Sequence, residues 1–233
     1  MSSATTSFGR FYETWYDQLH HLVNQLSKAP KPPTNQEDAT RMCLLVDKLM
    51  NHYAEYYRAK SVAAECDVLG VFTAPWASSL ERSLHWIAGW RPTTLFHLVY
   101  TESSIMFESH IIDILRGIKT GDLGDLSPNQ FRRVSELQCE TVKEENAITE
   151  ELAEWQDGAS ELTRSTCSEM NEKISLLVMI VQKADDLRLR TVRKVVEFLT
   201  PQQAAELLIA AAELQFGIRF WGRNQDVRRR QSS

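Results

Sequence analysis

Apolar residues recur at steps of three and four along most of this 233-residue chain, and no segment of useful length alternates with the period of two that a strand needs. That spacing gathers apolar side chains on one face of a helix, so the chain buries them by packing helix on helix. The first stripe is Phe8, Phe11, Tyr12, Trp15, Leu19, Leu22 and Leu26, and it stops at the prolines of 30–33. A second, over 36–72, carries Met42, Leu45, Leu49, His52, Tyr56 and Ala59 and ends near Gly70, ahead of Pro75. Ser127-Pro128-Asn129-Gln130 and Thr200-Pro201-Gln202-Gln203 each read as an N-cap, an N1 proline and an N3 glutamine able to reach back, which is a capping box. They open helices over 128–158 and 202–221, with another over 165–199 between them. The stripe of the last helix runs through Leu207, Leu208, Ala211, Leu214, Ile218 and Trp221 and ends at Gly222. The expected fold is all-α: a single multi-helix bundle of long amphipathic helices over 8–222, with 1–7 disordered and 223–233 a polar basic tail.

The segment from Ser78 to Tyr100 is denser. At about 100° per residue, Leu80, Leu84 and Ile87 fall together, Trp86 and Trp90 adjoin them, and Glu81, Arg82 and His85 take the opposite side. Gly89 is placed as a left-handed residue after a short helix and Pro92 as the first turn of the next. The two indoles then anchor a tight helix-to-helix junction.

Chemical motifs are sparse. The net charge of −5 argues against binding nucleic acid through bulk charge. Cys43, Cys66, Cys139 and Cys167 form no CxxC pair, and His20, His21, His52, His85, His97 and His110 show no ligand spacing, so no metal site is expected. Glu144-Glu145 and Asp185-Asp186 point about 100° apart on their helices and read as solvated charges, not as paired acid and base. Phosphate-binding, nucleophile-elbow and dinucleotide glycine motifs are missing, so no catalytic residue is assigned and the chain is not expected to be an enzyme. One stretch stands out: Arg188, Arg190, Arg193 and Lys194 set a basic face against Leu187, Val192 and Val195, as in a calmodulin or other partner-binding helix. The plainer reading is a core helix with a solvated basic face.

Taken together, the motifs resemble the Delay of Germination domain of plants, found in seed-dormancy regulators and in the C-terminal half of TGA-type bZIP factors. The resemblance is carried by Phe8-x-x-Phe11-Tyr12-Glu13-x-Trp15, Tyr53-x-x-Tyr56-Tyr57-x-Ala59-Lys60, Trp76-x-Ser78-Ser79-Leu80-Glu81-Arg82 and Trp86-Ile87-Ala88-Gly89-Trp90-Arg91-Pro92. It continues through Ala184-Asp185-x-Leu187-Arg188-x-x-Thr191 and Arg219-x-Trp221-Gly222. The motif residues Trp76, Glu81, Arg82, Trp86, Gly89, Trp90, Arg91, Pro92, Trp221 and Gly222 are taken as mainly structural.

What the resemblance implies is a regulator of seed dormancy and maturation, abscisic-acid response and transcription. It would work in nucleus and cytoplasm through partners such as type 2C phosphatases, bZIP factors, calmodulin or its own kind. The domain begins by residue 8, which resembles the stand-alone branch and leaves no basic region or zipper. Sequence-specific DNA binding is therefore not expected, and because charges interrupt the apolar stretches well before the roughly 18 residues a span needs, neither is membrane insertion. Haem has been attributed to the family through histidines of the last helix; residues 202–221 hold none, so no cofactor is expected. The alternative function is a helical sensor enclosing a hydrophobic small molecule or haem.

Overall fold

A computed structural model describes residues 3–158 and 167–232. Among the described residues eight α-helices follow in order: α1 (Ser3–Ser27), α2 (Gln36–Thr73), α3 (Ser79–Ser83), α4 (Thr94–Ser109), α5 (Ile111–Leu115), α6 (Pro128–Asp157), α7 (Cys167–Phe198) and α8 (Pro201–Gln231). A 3-10 turn, Leu123–Asp125, precedes α6, and no strand occurs among the described residues, so the fold is all-α. No described helix is long and apolar enough to cross a membrane.

The stripes assemble two cores. In the larger, Tyr12, Trp15 and Leu19 of α1 meet Leu45, Leu49 and Val68 of α2, with Leu177, Val181 and Ala184 of α7 and Leu208 and Ala212 of α8 closing over them. In the smaller, Phe96 and Val99 of α4 pack with Leu123, with Val134 and Leu137 of α6, and with Val195 and Leu207. The junction between α3 and α4 lies where the two cores meet.

Local signals placed most helix ends. Asn35 caps α2, its side chain accepting from the Asp38 N–H at 2.8 Å. Both capping boxes form, at Ser127 with Gln130 and at Thr200 with Gln203. They are also stitched together: the Gln130 amide donates to the Phe198 carbonyl and to Gln203 Oε1, and Gln203 in turn donates to the Asp122 carbonyl. The predicted start of α7 at 165 lies outside the described residues, as do residues 1, 2 and 233.

Several expectations change. The helix begins at Ser3, so Ser3 to Ser7 are ordered rather than disordered: Thr5 is buried and donates to Asp67 of α2 at 2.5 Å. At the other end α8 runs through Gly222 to Gln231, which makes most of the basic tail helical. Gly222 is there for close approach, since a Cβ would come within 2.9 Å of Ser78 Cβ and 3.0 Å of Leu80 Cβ. Gly89 likewise is not left-handed. Ile87 and Ala88 hold the positive φ values, 46° and 59°, while a Cβ on Gly89 would meet the Arg188 guanidinium carbon at 2.9 Å. Pro92 precedes the N-cap Thr93 rather than opening α4, and the helix at 80 stops at Ser83, leaving Leu84 exposed.

Candidate functional site

The turn from His85 to Thr93 folds back with its carbonyl oxygens inward, and that backbone needs donors. Two buried cations supply them. Arg188 of α7, fully buried, donates from Nε to the Trp90 carbonyl at 2.6 Å and from Nη2 to the carbonyls of Trp86 and Ile87, the latter at 2.8 Å. Its Nη1 pairs with Asp185 at 2.5 Å. Lys60 of α2, also buried, reaches the same Asp185 oxygen at 2.9 Å and the Ala88 carbonyl at 2.7 Å. Burial lowers the Lys60 ammonium to about 8, against the opposing pull of Asp185. A third tie is Glu145 of α6, buried, which accepts from Arg91 Nε at 3.0 Å and from the Thr93 N–H at 2.6 Å.

On the other side of α3 a second network forms. Glu81 closes the Ser78 capping box, accepting from its N–H at 2.7 Å, and lies 3.5 Å from Arg219 of α8. Arg219, buried, pairs with Glu13 of α1 at 2.6 Å and stacks over Tyr12 and Tyr16, each 4.6 Å from its guanidinium carbon. This network joins α1, α3 and α8.

Between the two networks is a cavity of about 320 Å³. Its walls are Tyr12, Trp15, Tyr56, Tyr57, Trp76 and Trp90, with Leu208, Ala211 and Ile218 of α8 opposite. Exposed Leu84, Arg91, Thr94 and Leu214 belong to the same lining and mark where it opens. Trp90 is fixed by its indole N–H, which donates to the Tyr57 hydroxyl at 2.8 Å. Trp76 lies edge-on to Phe8, with centroids 4.7 Å apart. Burial raises the pKa of Tyr53, Tyr56 and Tyr57 well above the ordinary phenol value, so all three stay protonated.

His85 is the titrating group of this wall. Burial first, and then the charges of Lys60 and Arg188, lower its imidazole to about 4, against a smaller opposing effect of Glu81. The unfolded chain therefore takes up a proton between about pH 6.5 and 4 that the folded chain refuses. The stability present at pH 7 is lost as the pH falls through that window, by on the order of 2 kcal/mol. His85→Gln is expected to flatten that part of the acid unfolding profile. An unchanged slope of stability against pH between 6.5 and 4 would place the lost protonation elsewhere.

The junction motif comes together in space as Glu81, Trp86, Gly89, Trp90, Arg91 and Pro92, along with Trp76. Arg82 is exposed, but its Nη1 closes onto the Ala77 carbonyl at 2.6 Å. Trp86 is half-buried and donates to Thr149 at 3.0 Å. Trp221 does not join them, being 55% exposed; the buried positions of that motif are Arg219 and Gly222. The basic face of α7 is also divided. Arg188 is inside, Arg190 pairs with Glu144 at 2.5 Å, Lys194 lies 3.8 Å from Glu140, and Arg193 is exposed. Asp185 and Glu145, expected as solvated, are buried because each serves donors of the junction, whereas Asp186 and Glu144 are exposed.

Sequence reasoning missed Lys60, Asp185 and Arg219 as structural charges. The available signal was position: Lys60 stands four residues beyond Tyr56 on its stripe, and Arg219 three before Gly222. Among the described residues, no group of three or more His, Cys, Asp and Glu could hold a metal ion.

The family model for DOG1, described as seed dormancy control, matches residues 18–101, which span α2, the junction and the start of α4. Protein DOG1-like 4 of Arabidopsis thaliana is 31% identical over 92% of this chain and 91% of its own length. Protein DOG1-like 3 of the same plant is 25% identical over 95% and 85%. The TGACG-sequence-specific DNA-binding protein TGA-1A of Nicotiana tabacum is 27% identical over 91% of this chain but 56% of its own length. On the residues matched and the identity with DOG1-like 4 across nearly the whole of both chains, this chain belongs to the DOG1 seed-dormancy-control family of plant proteins.

Proposed function

We propose that this chain is a non-enzymatic regulator of seed dormancy and maturation, in abscisic-acid response and transcriptional control, that acts by binding other proteins. Family membership supports the process. The mode of action rests on one observation: Ile105, Phe107, Ile111, Ile112, Leu115 and Ile118, around the end of α4 and α5, are between 41 and 79% exposed. Large apolar side chains gathered on an outer surface mark contact sites. The buried charges are committed to the junction: Lys60 and Arg188 donate to its carbonyls, Asp185 pairs with both cations, and Glu145 holds Arg91 and Thr93.

Type 2C phosphatases, bZIP factors and calmodulin are the partner classes to test, and relatedness to TGA factors supports work in the nucleus. The experiment compares Ile112→Asp with Leu115→Asp in pull-downs of a type 2C phosphatase and a bZIP factor from maturing seed. The expected result is loss of at least one complex with the melting temperature unchanged. Retention of every complex by both variants would overturn this surface as the point of contact.

A further inference from the structure

The networks on either side of the cavity were described as structural, and their arrangement also determines what the cavity can hold. Its lining carries only three ionisable groups besides the tyrosines: Glu81, His85 and Arg91. Glu81 faces Arg219 and the Ser78 N–H, Arg91 is paired with Glu145, and the His85 imidazole is held neutral near pH 7. The charges of Lys60 and Arg188 lie behind the wall with their donors turned to carbonyls and Asp185. Arg219 Nε lacks an acceptor, but it is sealed from open space. A charged guest would give up its hydration here without gaining a counter-ion.

The neutral hydrogen-bonding capacity is another matter. The Tyr57 hydroxyl accepts from Trp90, which leaves its proton free to donate. The hydroxyls of Tyr53 and Tyr56 make no hydrogen bond within the described protein, and neither is sealed from space. Three phenols, all kept protonated by burial, thus line a space whose remaining wall is mainly indoles and aliphatic side chains, with Thr94 and Gln215 as its further neutral polar groups. Its volume falls at the small end of the range for sites that take drug-sized ligands.

We propose that this cavity binds a neutral, largely apolar small molecule whose oxygen acceptor reaches the tyrosine hydroxyls, with its rings or hydrocarbon against Trp15, Trp76 and Trp90. This adds a ligand to the regulator and does not depend on the surface at α5. The occupant is defined by lack of charge, apolar bulk and one acceptor.

The neutral carbonyl-bearing dye Nile red is the probe, with anionic anilinonaphthalene sulfonate as its charged counterpart. The full chain is expected to bind Nile red saturably, one per chain, with a blue-shifted emission and quenching of tryptophan fluorescence, and to bind the anion far more weakly. Tyr56→Phe removes a hydroxyl with no protein partner, so it should leave folding intact and weaken Nile red by about 3- to 10-fold, as the loss of one hydrogen bond does. Ala211→Trp fills the space and should abolish the signal; Ala211→Met, a smaller change, should weaken it if the tryptophan variant does not fold. Unchanged Nile red affinity in both Tyr56→Phe and the Ala211 variants would overturn the proposal, as would tighter binding of the anion than of the neutral dye.

Discussion

Arg188→Ala is expected to yield protein that is largely unfolded at 37 °C. The guanidinium makes four hydrogen bonds, three of them to carbonyls of the junction, and lies wholly inside the molecule. Removing it takes the donor from the Ile87 and Trp90 oxygens, leaves the Trp86 oxygen with only the Gly89 N–H at 3.3 Å, and takes one partner from Asp185, beside Lys60. Breaking one member of a buried pair typically costs about 3–5 kcal/mol, a large share of the roughly 5–15 kcal/mol that holds a domain folded. Arg188→Lys should not rescue it, because a single ammonium cannot span three carbonyls as the planar fork does. The control is Arg193→Ala on the same helix, exposed, with an expected change within about 0.5 kcal/mol. Chemical denaturation of the three proteins checks this, and an Arg188→Ala midpoint equal to that of Arg193→Ala would rule out the buried fork.

Close behind in size comes an inversion of the usual ranking at the end of α8. Arg219→Met is expected to cost on the order of 3 kcal/mol, since Glu81 is left buried without its cation and the stacking over Tyr12 and Tyr16 goes too. Trp221→Ala, two residues on, should cost less than about 0.5 kcal/mol, because its indole is 55% exposed. A buried tryptophan would lose about 3–5 kcal/mol on the same truncation. Melting curves that put Trp221→Ala below Arg219→Met would show the helix turned the other way.

The difference between those two residues explains what could be read from the chain and what could not. Helix extents and caps are local. Ser127 and Gln130, or Thr200 and Gln203, are three residues apart, and their boxes formed as spacing requires. The stripes of α1 and α2 were legible for the same reason. Buried charge depends on partners brought from far away: Lys60 finds Asp185 across 125 residues and Arg219 finds Glu81 across 138. Helical geometry alone makes a cation look like solvent face, so Arg188 was grouped with Arg190 and Lys194. The rotation of α8 was misjudged by about one position for a related reason, because its buried line runs through Leu208, Ala212, Arg219 and Gly222 and includes a charge and a glycine. The cavity was least legible of all, being a property of six helices at once.

The carbonyls of Trp86, Ile87 and Trp90 wait on an arginine that lies 98 to 102 residues later in the chain. During synthesis, α1 and α2 can meet as soon as both have left the ribosome, but until α7 emerges the junction that follows them offers those oxygens only the Gly89 N–H, 3.3 Å from the Trp86 carbonyl. Domains gain their structure as units during synthesis, and incomplete ones expose what the finished core would cover. The Trp90 indole has its Tyr57 partner as soon as α2 is made and the Trp86 indole its Thr149 partner once α6 is made, but the backbone between them gains its buried guanidinium only when Arg188 arrives. Closure of the turn is then a late event that reports the arrival of α7: a nascent protein stalled before it would hold the backbone of this segment open to water, and a completed one would seal it over Arg188.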